Sequence, residues 1–138
     1  MTAILERGEV GIVLEGEEYV MRPSFTACST IEKQAGRSLM QLAQDADRHD
    51  ISIDDMAIVA TACIQAWGVA NNVTSVAGVQ KLRIAELIFE AGTMSITPRI
   101  ALVLAAAVTG GTNRPQDDAR DDALGENPAA MEDSPVVA

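Results

Sequence analysis

The chain has 138 residues, 48% of them apolar but only 3% aromatic, and a formal net charge of −10, which bounds it to one domain with a core of Ala, Val, Ile, Leu and Met. Ten basic residues against twenty acids argue against direct binding to nucleic acid or an anionic membrane surface. Cys28 and Cys63 lack metal-like spacing, "MTAILERGEV" is not a signal peptide, and the longest apolar run (100–108) is too short to span a bilayer, so a soluble cytoplasmic protein is expected.

The first element is a hairpin. Val10, Ile12 and Leu14 alternate on one face of a strand, with Glu9, Val13 and Glu15 on the other. The second strand covers 19–22, with Tyr19 and Met21 on the apolar face. A loop of Glu15-Gly16 pairs Leu14 with Glu17, Ile12 with Tyr19, Val10 with Met21 and Glu9 with Arg22. A loop of Gly16-Glu17 sets Glu15 opposite Glu18, two like charges, so the first register is preferred. Pro23 ends the strand.

Helices follow. Ser24 is the N-cap of a helix with Phe25, Cys28, Ile31 and Ala35 inward and Gly36 as its stop. Ser38 caps a shorter helix with Leu39 and Leu42 inward. The polar stretch 45–50 is a loop. Ser52, followed by Asp54 and Asp55 in a first turn, opens a third helix. Its stripe is Met56, Val59, Ala60, Cys63, Ile64 and Trp67, and Gly68 marks its end. A fourth helix runs from Thr74 or Ser75 to Gly92, with Val76, Val79, Leu82 and 87–89 on its apolar side. Thr97 as N-cap and Pro98 at the first helical position open the last helix. Apolar nearly all round over 100–108, that helix is expected to be central or to cover an interface. From Thr112 the chain carries seven acids, two arginines and few large apolar residues, and is expected to be a disordered acidic tail.

No catalytic constellation emerges. His49 lies in a loop between acids, and both cysteines lie on apolar helix faces, where a thiol behaves as a small hydrophobe. Asp54 and Asp55 fit first-turn helix stabilisation, and the glycines form no phosphate loop. No catalytic, cofactor or metal site is therefore expected.

The order of features carries a resemblance. Arg7-Gly8-Glu9-Val10, a strand, Glu15-Gly16, a second strand, then Ile31-Glu32, Gly36 and Ser38-Leu39 with Leu42 together resemble the small gene-transfer-agent proteins of the phage tail module. The similarity covers about residues 7–67; Glu15 stands where Asp is usual. It implies a role in tail morphogenesis, as a tail tube protein or a tail assembly chaperone. A tube subunit needs many strands, and this chain offers two. The chaperone is therefore expected, a non-enzyme binding the tape measure protein or tail tube subunit. The alternatives are a structural tail component and an unrelated helical ligand-binding domain built around His49, Asp50 or Cys63. The residues expected to meet a partner are Val13, Val20, Arg22, Trp67 and Phe89.

The fold expected is α+β, mostly α. It has an N-terminal two-stranded hairpin packed on four to five helices over 1–111, with the tail over 112–138.

Overall fold

Glu15 and Gly16 adopt left-handed backbone conformations, with φ of 55° and 76°, the double positive φ of a tight two-residue turn whose twist matches a hairpin. That turn fixes the register of β1 (Val10–Leu14) and β2 (Glu17–Met21). Val10 pairs with Met21, Ile12 with Tyr19 and Leu14 with Glu17, as the charge argument requires. Beyond the ladder, Arg22 Nη1 lies 3.9 Å from a carboxylate oxygen of the wholly buried Glu9. The computed structural model describes Ala3 and residues 8–110. Arg7 of the opening motif and the expected acidic tail, 112–138, lie outside the described residues.

Among the described residues six helices follow: α1 (Phe25–Ala35), α2 (Leu39–Asp47), α3 (Ile53–Ala70), the single turn α4 (Thr74–Ala77), α5 (Lys81–Ala91) and α6 (Thr93–Val108). Three serines start the first three. Ser24, Ser38 and Ser52 each accept a hydrogen bond from the amide three residues on (3.1, 3.1 and 3.0 Å), satisfying a donor the helix leaves free. Gly36 closes α1 in the left-handed conformation, its amide donating to the Glu32 carbonyl.

The central helix is α3, not the last one. It packs against α1, α4, α5, α6 and β2, and its residues Met56–Ile64 are buried without a break. By length and composition alone α3 could cross a membrane, but here 56% of it is buried, as in the core helix of a domain. Helix α6 lies to one side, against α2 and β1, and keeps a solvent face with Leu102 about half exposed. The hairpin is tied to the centre where the Arg22 amide donates to the Cys63 carbonyl (2.9 Å). The core joins Val10, Ile12, Leu14 and Met21 to Ile31, Leu42, Met56, Ile64, Ile88, Ile100 and Leu104. A two-stranded sheet is marginal alone, so this seat on the helices is what holds it.

Several sequence expectations are corrected. Gly68 does not end a helix: α3 continues to Ala70, and Gly68 is buried where α4 crosses it. A Cβ there would stand 2.4 Å from the Ala77 nitrogen, so the glycine permits the contact. The expected single helix over 74–92 is two, α4 and α5, because the chain turns at Gly78 to let both pack on α3. The last helix starts at Thr93 rather than beside Thr97, with Pro98 inside it. Proline lacks the amide that would bond the Met94 carbonyl, one lost bond within the second turn; one residue earlier, Thr97 Oγ1 donates to the Thr93 carbonyl (2.7 Å). Phe25, expected inward, is 87% exposed. The buried face of α1 runs through Ala27 and Ile31, and at about 100° per residue Phe25 lies roughly a third of a turn away from Ile31.

Candidate interaction surface

The five residues expected to meet a partner do not form one surface. Val13 stands on the outer face of β1, well exposed, beside a hollow of about 280 Å³ that it shares with Gly11, Glu18, Arg99 and Leu102. Val20, on the same face of the ladder, is completely buried and offers nothing to a partner. The expectation that Val20 meets a partner therefore fails. There β2 is pressed against α3, and one strand residue is enclosed although its parity points outward. Arg22 is about one-third exposed, paired with Glu9, and borders a groove between α1 and α3 floored by Ala27, Ala62 and Ala66. Trp67 is half-buried and packs on the core, with its carbonyl taken by the Asn71 amide and side chain. Its ring acts as the edge of the core rather than as a projecting anchor.

Phe89 is the one large aromatic of the five that projects, at 69% exposure. Leu82, seven residues earlier on α5, is 71% exposed. Because seven residues make close to two turns, the two side chains stand on one line. The inward side of α5 is Ile84, Leu87 and Ile88, and the Leu82–Phe89 line lies on the opposite side of the helix. The half-buried Ala85 falls between them. Met94, just past the α5–α6 junction, is 73% exposed. The basic residues of this helix are engaged: Lys81 Nζ with Asp54 (3.1 Å), Arg83 with Glu15 (3.1 Å) and with Glu86 (3.7 Å). These pairs pin α5 to the start of α3 and to the hairpin tip. Being exposed, each contributes little stability, up to about 1 kcal/mol, but they leave the apolar stripe as the uncommitted part of α5. Leu82 was expected on the apolar inward side. Its seven-residue spacing to Phe89 is the signal that would have moved it.

The polar site imagined around His49, Asp50 and Cys63 separates into two places. His49 and Asp50 line an open hollow of about 340 Å³ with Arg37, Asp45, Ser52 and Asp55. Its buried carboxylate, Asp45, is already satisfied by Arg37, by Arg48 Nη2 (2.9 Å) and by Gln41 Nε2 (2.9 Å). Arg37 also reaches Asp55 at 3.9 Å, so the cluster ties the end of α2 to the start of α3. A carboxylate spent on this many partners is a joint, not a poised base. Cys63 is elsewhere, enclosed in the core, where burial pushes its thiol far above the ordinary range. Cys28 is part-exposed, and its thiol is also raised, by burial and then by the negative charge of Glu32. Both cysteines are free thiols. A raised thiol is less thiolate and less nucleophilic at neutral pH, the reverse of a catalytic cysteine. Among the described residues no group of three or more His, Cys, Asp or Glu side chains converges as a metal site.

Comparison with protein-family models, with curated proteins and with solved structures gives no match to this chain.

Proposed function

We propose that this protein is a non-enzymatic assembly partner, a tail assembly chaperone of the phage or gene-transfer-agent kind. It would bind the tape measure protein or the tail tube subunit in the cytoplasm until tail assembly consumes the partner. The observation that carries the reading is the outward Leu82–Phe89 stripe on α5. Apolar side chains seven residues apart on a helix, away from its own core, match another helix, which reads anchors at i, i+3 or i+4, and i+7. Tape measure helices are partners of that shape. The hairpin-then-helix order of residues 8–67 supports the same reading, as does the sheet, which among the described residues has two strands where a tube wall needs many. A net charge of −10 favours solubility of a chain that displays apolar side chains.

The test is co-expression with a tape measure protein and, separately, with a tail tube subunit drawn from the same genome. A stable complex with one of them, lost in Leu82→Asp/Phe89→Asp while the variant stays folded, is the expected outcome. Absence of a complex with either overturns the proposal. Mass spectrometry of purified particles separates the chaperone from the alternative of a retained structural tail component. A chaperone is absent or far below one copy per tube subunit, and stoichiometric presence supports the structural role.

A further inference from the structure

We infer that the segment bound by the α5 stripe is a cationic amphipathic helix, with apolar anchors that meet Leu82 and Phe89 and lysines or arginines along one flank. The inference rests on the reading of the stripe as a partner surface, and it gives that partner a charge. Glu86 stands four residues after Leu82 and three before Phe89, so it shares their face of the helix. Glu90 follows one turn later, and both carboxylates are exposed. Lys81 and Arg83 lie on either side of Leu82, roughly 100° each way. Arg83 is on the Glu86–Glu90 side, 3.7 Å from Glu86, and reaches across to Glu15 at the hairpin tip (3.1 Å). That bridge sets the tip beside α5 and brings Glu17 into the same field. The Tyr19 phenol feels all of it: burial raises it first, the Glu17 carboxylate next, and Arg83 opposes them.

One edge of the stripe thus carries Glu15, Glu17, Glu86 and Glu90 against the single cation Arg83 among the described residues. On the other edge Lys81 and Asp54 balance each other at 3.1 Å. An apolar line with one acidic edge and one neutral edge selects a helix twice, by anchors that fill the line and by opposite charge along the edge. An acidic helix meets repulsion. So does a second copy of this chain: across a two-fold axis at the middle of the stripe, Glu86 would face its own counterpart. Exposed ion pairs each add little affinity, so the anchors hold the helix and the edge decides which helix is taken.

The probes are two synthetic amphipathic peptides of about five turns, with the same leucines at i, i+3, i+4 and i+7. One carries lysine and the other glutamate on its polar face. Binding to the full chain is read by fluorescence anisotropy at an ionic strength of about 0.05 M, where screening is weak. The wild-type chain should bind the lysine peptide at least about ten-fold more tightly than the glutamate peptide. Glu86→Lys/Glu90→Lys should weaken the lysine peptide by about ten-fold. Asp47→Lys/Asp50→Lys makes the same change of net charge on exposed residues off α5, and should change its affinity by less than about two-fold. Leu82→Ser/Phe89→Ser, which alters no charge, should weaken it by at least about ten-fold. Matching melting temperatures establish that the variants are folded. Equal affinity for the two peptides overturns the inference, as does binding of neither. An Asp47/Asp50 pair that matters as much as Glu86 and Glu90, or binding that survives Leu82→Ser/Phe89→Ser, also overturns it. A complex with the tape measure protein or tube subunit that needs Leu82 and Phe89 but not Glu86 and Glu90 would refute the cationic helix and leave the assembly role standing.

Discussion

Gly68→Ala offers a sharp test of how α3 sets the position of α4 and, through it, of α5. In an ordinary helix interior this change stabilises by about 1 kcal/mol, because alanine is the better helix former. Here the added methyl would stand 2.4 Å from the Ala77 nitrogen and 2.8 Å from both Ala77 Cα and the Val76 carbonyl carbon. All three atoms are backbone, so no rotamer change relieves the contact. Helix α4 must move by roughly an ångström, loosening the Val73 amide from the Gly68 carbonyl (2.9 Å) and Gln65 Nε2 from the Val79 carbonyl (2.7 Å). Overpacking of about 1–3 kcal/mol with two weakened hydrogen bonds of about 1 kcal/mol each outweighs the propensity gain and leaves a net loss of about 2 kcal/mol. For a domain near 100 residues that lowers Tm by on the order of 10 °C. Thermal melts followed by circular dichroism measure it. A Gly68→Ala chain that melts at or above the wild-type temperature would refute the close crossing of α3 and α4.

The two valines of the outer hairpin face should part company. Val13→Lys, at an exposed site, should change unfolding free energy by no more than about 0.5 kcal/mol, whereas Val20→Lys, an unpaired charge in a sealed site, should cost at least about 4 kcal/mol or prevent folding, as read by urea denaturation. Asp45→Ala should lower the urea midpoint by an amount equivalent to about 1–3 kcal/mol, since it strips Arg37, Arg48 and Gln41 of a shared partner, while Asp47→Ala on the exposed side should be near neutral. Cys63 makes stability depend on alkaline pH. Its thiol is held protonated in the fold and ionises near its ordinary value when unfolded, so its contribution is complete below about pH 8.5 and is lost as pH rises. Unfolding free energy should fall by up to about 1.4 kcal/mol per pH unit above that point, and Cys63→Ala should flatten the slope.

The features legible in the sequence are those set by local chemistry. The register of β1 against β2 could be chosen because only one of two turns avoids setting Glu15 opposite Glu18, and the structure adopts it. Ser24, Ser38 and Ser52 announced three helix starts because each is followed directly by helix-forming residues. The misreadings share a cause: they depend on which neighbour an element meets. Gly68 looks like a stop signal until α4 is seen to lie against it. The apolar run 100–108 suggested a helix that is central or covers an interface, and the central place belongs to α3, which is contacted by α1, α4, α5, α6 and β2. Val20 has outward parity, yet β2 is enclosed at that end. On the interaction surface, Phe89 was legible as a large aromatic on a helix. Its partner Leu82 was not named, and a single helix over 74–92 put both on the apolar side, because joining α4 and α5 into one phase misplaces the inward face.

The direct measurement of the proposed role is the affinity of this chain for a tape measure protein or a tail tube subunit from the same genome, taken by titration calorimetry on wild type and on Leu82→Asp/Phe89→Asp. Anchors of this kind carry about 2 kcal/mol or more each, so the double variant should bind at least about a hundred-fold more weakly with its melting temperature nearly unchanged. An affinity unaltered by the double substitution would remove the α5 stripe from the interface, and no binding to either protein would contradict the assembly role itself.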